Sequence, residues 1–228
     1  MIGLDPLYWL MMIPVMIFSL ITSLRVKSTF KKYSKNGITS GMSGAKVAET
    51  ILRRNGLHHV AVTEVNGFLS DHYDPTKKVV RLSPEVYSSD SMSAVGVAAH
   101  ETGHAIQHAK EYGPLKLRNL MVPVASIGSN LSWIIIIVGY FIGALGLVKI
   151  GIILFSAVVF FQLVTLPVEF NASARAKELL ASYNLVTADE LHGVRKVLNA
   201  AAMTYVAAAA SSIVTLLYFI LRFTGGDD

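Results

Sequence analysis

Long apolar stretches, separated by two polar ones, dominate the pattern along the chain. Four stretches carry no charge, at residues 7–24, 122–148, 150–168 and 200–221. The first has eighteen residues, and at about 1.5 Å per helical residue it reaches roughly 27 Å, close to the roughly 30 Å hydrocarbon core of a bilayer. Runs of this length are rare in soluble folds. The pattern therefore predicts four transmembrane helices.

The second and third apolar stretches are neighbours in the chain and predict a hairpin. Lys149 separates them, and three glycines lie nearby, so we expect a tight turn there; they are Gly143, Gly146 and Gly151. Polar residues interrupt the first part of the second stretch, namely Ser126, Ser129, Asn130 and Ser132. Such groups are costly against lipid, so we expect them to face protein or a wet cavity.

Composition agrees with a membrane protein and excludes other classes. Hydrophobic residues make up 53% of the chain and charged residues 15%, against about 25% charged residues in ordinary soluble domains. This excludes a disordered chain, which needs low hydrophobicity and high charge. The absence of Cys excludes a disulfide scaffold and a cysteine-ligated zinc site.

The basic residues flank the apolar stretches. Of 20 Lys and Arg, all but Lys149 and Arg222 lie within residues 25–120 or 169–201. The positive-inside rule then predicts that both polar stretches are cytoplasmic and that both termini lie outside. The C-terminus carries an acidic tail at Asp227–Asp228. We predict a multi-pass protein of the cell membrane, with the first stretch a retained anchor rather than a cleaved signal peptide. No base-reading residues accompany the basic ones, so no nucleic-acid partner is expected.

The first polar stretch begins with a helix and a small β element. Residues 43–55 predict an amphipathic helix with Ser43 as its N-cap and Gly56 after its end. Two β-rich segments follow at 60–65 and 79–82, with turn-prone residues between them. They predict a small antiparallel hairpin or sheet edge. The second segment is a candidate edge strand for pairing with an extended substrate.

Further helices are expected on both sides of the apolar hairpin. Residues 91–112 predict a buried core helix that ends at a Gly-Pro pair. Residues 169–183 have helical composition, and Asn184 breaks that helix. Thr187 and Glu190 form a capping box that begins another helix, which continues into the fourth apolar stretch.

The core helix contains the motif His100-Glu101-Thr102-Gly103-His104. Positions i and i+4 lie on one helix face, so His100 and His104 can hold one Zn²⁺. Glu101 is too close in sequence to be a comfortable co-ligand, but it can reach a water on the metal. We expect it to act as general base for attack on a carbonyl and to deliver the proton to the leaving amine.

A catalytic zinc needs a third protein ligand and an open position. Glu169 is the strongest choice, because it is the first charged residue after the third apolar stretch. The predicted hairpin returns the chain at this point to a position near the start of the second apolar stretch. The plainer explanation is an acidic residue at a helix N-terminus. His108 cannot join the motif pair on one straight helix. The other candidates are His58, His59, His72 and His192.

The chain resembles the bacterial neutral zinc membrane metallopeptidases of the YugP kind over almost its whole length. The segments that carry the resemblance are His100-Glu-Thr-Gly-His-Ala-Ile-Gln-His108, Ser70-Asp-His-Tyr-Asp-Pro75, Leu82-Ser-Pro-Glu-Val-Tyr87 and Leu166-Pro-Val-Glu-Phe-Asn-Ala-Ser173. It is more distantly similar to the HtpX and prenyl-protein (CAAX) proteases. The resemblance implies zinc on His100, His104 and Glu169, with Glu101 as base.

Two positions depart from the patterns of these families. The distant group has an Asp four residues after the glutamate, where this chain has Ser173. The closer group favours an acidic residue, which would orient a ligand histidine, where this chain has Asn171. Arg175 is expected to contact solvent or lipid headgroups; stabilising an oxyanion or pairing with Glu101 is the alternative.

These features predict a mainly α, polytopic membrane protein with a zincin-like cytoplasmic domain that contains a small β-hairpin or sheet. The domain combines residues 25–120 with residues 169–199, and the transmembrane helices lie at 7–24, within 122–168 and at 200–221. The predicted function is that of a zinc-dependent integral membrane endopeptidase. Its substrates would be membrane or membrane-proximal polypeptides, because the second apolar stretch has a polar face.

Two other functions compete with this one. A non-enzymatic membrane adaptor with a structural zinc would need a fourth protein ligand, for instance His72 or His108. A transporter or channel is weakly supported, because no apolar stretch has an internal charge pair or a broken-helix pattern.

Overall fold

A computed structural model describes residues 5–223 of the chain as a mainly helical protein with one small sheet. The predicted acidic tail, Asp227–Asp228, lies outside the described residues. The elements in chain order are α1 (Pro6–Tyr33), α2 (Gly44–Arg54), β1 (Ala61–Glu64), β2 (His72–Asp74), β3 (Val79–Leu82), α3 (Pro84–Ser88), α4 (Met92–Ala109), α5 (Gly113–Phe141), α6 (Leu145–Ser182) and α7 (Ala188–Phe223).

The described residues form two compact units. The apolar unit consists of the described residues up to Thr22, Lys116–Pro167 and the described residues from Thr204 onward. The polar unit consists of Ser23–Leu115 and Val168–Met203.

Four helices, α1, α5, α6 and α7, are long and apolar enough to cross a membrane, as the sequence predicts. Their most apolar segments have mean hydropathies of 1.9 to 2.4, and at most 33% of any such segment is buried inside the protein. In water this exposed apolar surface would be unfavourable, whereas lipid accommodates it.

Aromatic packing fills the interior of the apolar unit. Tyr218 and Phe219 of α7 are fully buried, and the ring of Trp133 lies 5.2 Å from that of Phe219 in an edge-to-face arrangement. The Tyr218 hydroxyl donates to the Asp5 carboxylate at 3.0 Å, and Arg222 pairs with the same carboxylate at 3.2 Å. These polar contacts join the ends of α1 and α7.

The polar residues of α5 differ in how far they are buried against protein. Ser132 is buried, but Ser126 and Asn130 are exposed on the helix surface. Ser129 is half-buried, and its hydroxyl donates to the backbone carbonyl of Ser126 at 3.0 Å. A serine that bonds its own helix has its donor satisfied without a neighbouring chain. Ser126 and Asn130 therefore do not face protein, and the alternative that they face a wet cavity stays a prediction.

The turn of the apolar hairpin lies earlier than predicted. It occupies residues 142–144, where Gly143 has a left-handed φ of 71° and α5 ends at Phe141. Lys149 and Gly151 belong to α6 instead. A Cβ on Gly151 would lie 2.5 Å from the side chain of Ile136. Gly151 therefore serves the close packing of α5 on α6, which a sequence does not distinguish from a turn.

Helix α6 is continuous from Leu145 to Ser182 and includes Pro167. The prediction that a new helix begins at Glu169 is therefore wrong, and Glu169 lies well inside a helix. A proline is tolerated within helices of membrane proteins because local adjustments satisfy the freed backbone carbonyl. The helix ends near Asn184, which has a left-handed φ of 51°.

Local capping signals in the polar unit are confirmed. Helix α2 begins after Ser43, whose hydroxyl oxygen accepts from the Lys46 backbone N–H. At the start of α7, Glu190 accepts from the Thr187 backbone N–H at 2.7 Å, and the Thr187 hydroxyl accepts from the Glu190 backbone N–H at 3.3 Å. This reciprocal pair is the predicted capping box.

The sheet is mixed, and the strand order is β1-β3-β2. β1 pairs with β3 in parallel, with Ala61 opposite Val79, whereas β2 is the antiparallel partner of β3. The prediction of an antiparallel hairpin from the first and last segments is wrong, because β2 lies between them in sequence and makes the antiparallel pairing. β3 is also the central strand and not an edge, with Val80 and Leu82 fully buried.

Helix α4 forms the centre of the polar unit and is shorter than predicted. Ser91 caps it by accepting from the Ala94 backbone N–H. The helix ends at Ala109, and the chain reverses at Glu111, which has a left-handed φ of 52°. Gly113 and Pro114 then begin α5 rather than stopping α4, since proline fits the first turn of a helix, where its missing N–H costs nothing.

Candidate metal centre

Three side chains of the polar unit converge on one point. His100 and His104 lie one turn apart on α4, and Glu169 reaches them from α6. The Oε2 atom of Glu169 lies 3.2 Å from Nε2 of His100 and 3.6 Å from Nε2 of His104. One potential ligand atom from each residue lies within 4.8 Å of the other two.

The spacing fits a zinc ion. Ligands about 2.0–2.1 Å from a tetrahedral zinc lie about 3.3–3.4 Å from each other. The two distances measured from Glu169 lie on either side of that value. Two neutral imidazoles and one carboxylate are a donor set that zinc uses at catalytic sites, and three protein ligands leave a fourth position open.

Close packing of α6 on α4 brings Glu169 to the two histidines. A Cβ on Gly103, inside the motif, would lie 2.8 Å from the backbone carbonyl oxygen of Ala172 and 3.2 Å from its Cα. A larger residue than Gly at 103 would push α6 away. Ala172 itself is fully buried, so small residues on both helices determine how deeply Glu169 reaches.

Each imidazole is also held by its other nitrogen. Nδ1 of His100 lies 3.1 Å from the Ser173 hydroxyl, and Nδ1 of His104 lies 3.0 Å from Oε1 of Gln107. In both residues Nε2 is therefore the atom left to face Glu169. Such outer contacts fix the orientation of a ligand ring and raise its basicity.

The contacts of Gln107 determine the tautomer of His104. Gln107 is fully buried, and its amide nitrogen donates to the Val168 carbonyl at 2.8 Å and to Oδ1 of Asn171 at 3.0 Å. Both amide hydrogens are thus used, and the amide oxygen faces His104 as an acceptor. Nδ1 of His104 must then carry the hydrogen, which leaves the Nε2 lone pair for a metal.

Asn171 and Arg175 extend this network. The Nε–H group of Arg175 donates to Oδ1 of Asn171 at 2.8 Å, so the same oxygen accepts from Gln107 and from Arg175. The expectation of a solvent or headgroup contact for Arg175 misses this bond. Among the described residues Arg175 makes no ion pair with Glu101. A neutral amide at 171 therefore links the Arg175 guanidinium to the Gln107–His104 pair.

Glu101 is buried on α4, next to His100 in the chain, and lies outside the group of three candidate ligands. Burial lowers the pKa of His104, but the hydrogen bond that its imidazole donates to the Glu169 carboxylate and the charges of Glu101 and Glu169 outweigh burial and raise that pKa. The negative charge of Glu101 therefore acts on His104, while Glu101 itself lies outside the candidate ligand group.

The other histidines lie elsewhere in the polar unit. Nδ1 of His108 is 2.9 Å from the Tyr73 hydroxyl, and Nδ1 of His72 is 2.8 Å from the Ser70 backbone carbonyl. His58, His59 and His192 are exposed. Within residues 5–223, none of the five joins the ligand group.

Sequence reasoning missed Gln107. The signal was present, because Gln107 lies three residues after His104 and so on the same helix face. Its amide donates to Val168 and Asn171, which neighbour Glu169 in the chain. Gln107 consequently connects the two helices that carry the candidate metal ligands.

Replacing Gln107 with Leu is expected to weaken zinc binding about 10- to 100-fold, the range typical of lost outer contacts to a ligand. The volume is nearly preserved, but His104 loses the acceptor that fixes its tautomer. Zinc affinity is measured by competition with a chromophoric chelator. Gln162→Leu on α6, which no described contact joins to the site, is the control. An unchanged zinc affinity in Gln107→Leu would contradict the assigned role.

Comparison with known proteins identifies relatives. The family described as "putative neutral zinc metallopeptidase" matches residues 8–224. A protein of Bacillus subtilis (strain 168) with the name "Putative membrane protease YugP" is 52% identical over 204 residues, which cover 90% of this chain and 91% of that protein. No solved structure matches the chain.

Proposed function

The chain belongs to the family of neutral zinc metallopeptidases, and from that membership we propose that it is an endopeptidase of the membrane whose zinc is bound by His100, His104 and Glu169. The single observation that carries the proposal is the convergence of these three side chains at zinc-ligand spacing. The name of the Bacillus relative, a membrane protease, supports the same activity.

A bound zinc would polarise the substrate carbonyl and lower the pKa of a water molecule toward about 7. The residues of the chain do the rest. Glu101 accepts the proton from the attacking water on its carboxylate and delivers it to the nitrogen of the leaving amine, so that one peptide bond breaks and one water is consumed. Gln107 and Ser173 hold the two imidazoles in the orientation that the ligand role requires.

We further propose that the substrates are polypeptides in or near the membrane. Four helices can cross a bilayer, and the exposed Ser126 and Asn130 on α5 offer polar contacts to a backbone that has entered the membrane region. β2 is an edge strand of the sheet and contacts α4, the helix of the two histidines, so we propose that an extended substrate pairs with this strand.

The catalytic side is proposed to be cytoplasmic. The support is the charge distribution, because 18 of the 20 Lys and Arg lie in the two polar stretches, and basic residues beside membrane spans favour the cytoplasmic face.

The adaptor with a structural zinc is not favoured. A structural site holds its zinc with four protein ligands. In the part of the chain that the structure describes, the group has three, and both His72 and His108 have other partners.

Removing the metal tests the proposal. The full chain in detergent is expected to cleave a fluorescein-labelled casein, to lose that activity after treatment with a zinc chelator and dialysis, and to regain it on addition of one equivalent of Zn²⁺. Fluorescence release and zinc content are measured on the same samples. A protein that binds one zinc and cleaves neither casein nor membrane polypeptides would support the adaptor instead.

A further inference from the structure

A cavity lies in the polar unit, and the three candidate metal ligands do not line it. Its volume is about 540 Å³, and it is bounded by the C-terminal part of α1, by α3 and by the loop between β1 and β2. Its charged and aromatic lining residues are Lys27, Lys31, Glu85, Phe30 and Phe68, with three serines besides. None of them belongs to the zinc site.

The cavity carries an unmatched positive charge. Lys27 and Lys31 are four residues apart on α1 and therefore share a helix face. Within residues 5–223 neither lysine makes an ion pair. Glu85 supplies one negative charge, so the lining has a net charge of +1. Two lining serines donate to their own helices, Ser34 to the Lys31 carbonyl and Ser88 to the Pro84 carbonyl. The third, Ser89, accepts from the Ser91 backbone N–H. The two lysine ammonium groups and the Ser89 hydroxyl are consequently the side-chain donors available to an anion.

One wall of the cavity is aromatic. Phe30 is buried, whereas Phe68 is 56% exposed, and the two rings meet edge to face at 5.8 Å. Leu69, next to Phe68, is also exposed and has a left-handed φ of 54°, which is unusual for leucine. Two large apolar side chains are thus presented beside two cations, a combination typical of the interface between lipid and water.

The position of the lysines along α1 matches the depth of lipid phosphates. The apolar run of α1 ends at Leu24, which is 58% exposed. Lys27 follows about 4.5 Å further along the helix axis, and Lys31 about 10.5 Å, at about 1.5 Å per residue. The headgroup region on each side of a bilayer is about 5–8 Å thick. The backbone positions of the two lysines therefore bracket the depth expected for the phosphate layer, and their long side chains can reach it.

We propose that this cavity binds the headgroup of an anionic phospholipid from the surrounding bilayer. Lys27 and Lys31 pair with the phosphate, and Phe30 and Phe68 form the apolar wall beside the headgroup. The net charge of +1 matches the single negative charge of phosphatidylglycerol and not the neutral headgroup of phosphatidylcholine. The proposal requires only that α1 crosses the membrane, and it is independent of the peptidase activity.

Native mass spectrometry of the full chain in detergent, titrated with phosphatidylglycerol or phosphatidylcholine, tests the site. We expect one phosphatidylglycerol to bind tightly to each chain, and we expect no phosphatidylcholine to bind with comparable affinity. Lys27→Gln and Lys31→Gln should each lower the affinity about fivefold, the effect of one basic residue near an anionic surface. Glu85→Gln should raise the affinity. Lys31→Arg, which keeps the charge, should retain binding and excludes a folding defect as the cause.

Lys32→Gln is the matched control. Lys32 is the next residue on the same helix, is equally exposed, does not line the cavity and lies 5.5 Å from the ring of Tyr33. Equal losses in Lys31→Gln and Lys32→Gln would mean general surface attraction and would overturn the proposal. So would displacement of the lipid by millimolar inorganic phosphate, which indicates a free-anion site, or by an acidic peptide, which indicates a polypeptide site.

Discussion

Glu101→Gln is expected to leave zinc bound and to lower peptide cleavage about 10²- to 10⁴-fold, the usual contribution of a general acid–base group. Gln preserves the size of Glu101 but cannot take the proton from the attacking water. Because Glu101 lies outside the three-ligand group, zinc affinity should change little. The measurements are kcat/KM on labelled casein and zinc content by mass spectrometry.

Glu49→Gln is the matched control for this experiment. Glu49 is a surface residue of α2 that pairs with Lys46, so the same chemical change there should alter neither activity nor zinc. Unchanged cleavage in Glu101→Gln would reject its role as base, and loss of zinc in that variant would mean that Glu101 is a ligand.

Glu169→Gln is expected to weaken zinc binding by more than about 100-fold, because loss of an outer contact alone costs about 10- to 100-fold. Glu169 is buried, and its carboxylate lies 3.2 Å from His100 and 3.6 Å from His104. The amide of Gln keeps the volume of the Glu169 side chain. It removes the negative charge, which is the only one in the donor set of two imidazoles and one carboxylate that would bind the cation. Chelator competition gives the zinc affinity, and thermal unfolding shows whether the variant folds.

Glu178→Gln, an exposed position on the same helix, should bind zinc as the parent does. If Glu169→Gln retained parental zinc affinity, the third ligand would have to be another residue, and the proposed centre would be wrong.

The sequence predicted best what depends on local spacing. His100 and His104 share a helix face because they are four residues apart. Ser43 and the Thr187–Glu190 pair indicate helix starts because their own side chains cap the first backbone N–H groups. Glu169 was chosen because the apolar hairpin leads the chain back to the side of the membrane that holds the histidine motif. The structure brings Glu169 to the two histidines, although it lies inside α6 and not at a helix start.

Features that depend on distant contacts were not predictable in this way. β3 pairs in parallel with β1 on one side and antiparallel with β2 on the other. No local signal in the sequence specifies which strand becomes which neighbour of β3. Three glycines look alike in the sequence but have different roles. Gly103 allows α6 to pack closely on α4, Gly143 adopts the left-handed conformation of a turn, and Gly151 allows α5 to pack closely on α6. Gln107 acquires its role only when α6 places Val168 and Asn171 beside it.

X-ray absorption spectroscopy of the zinc-loaded full chain tests the central claim most directly. We expect one zinc per chain with two imidazole nitrogens and two oxygens at about 2.0–2.2 Å. One oxygen comes from Glu169 and one from water, and the Glu169 oxygen is lost in Glu169→Gln. A zinc with three or four imidazoles, or a coordination sphere that Glu169→Gln leaves unchanged, would contradict it.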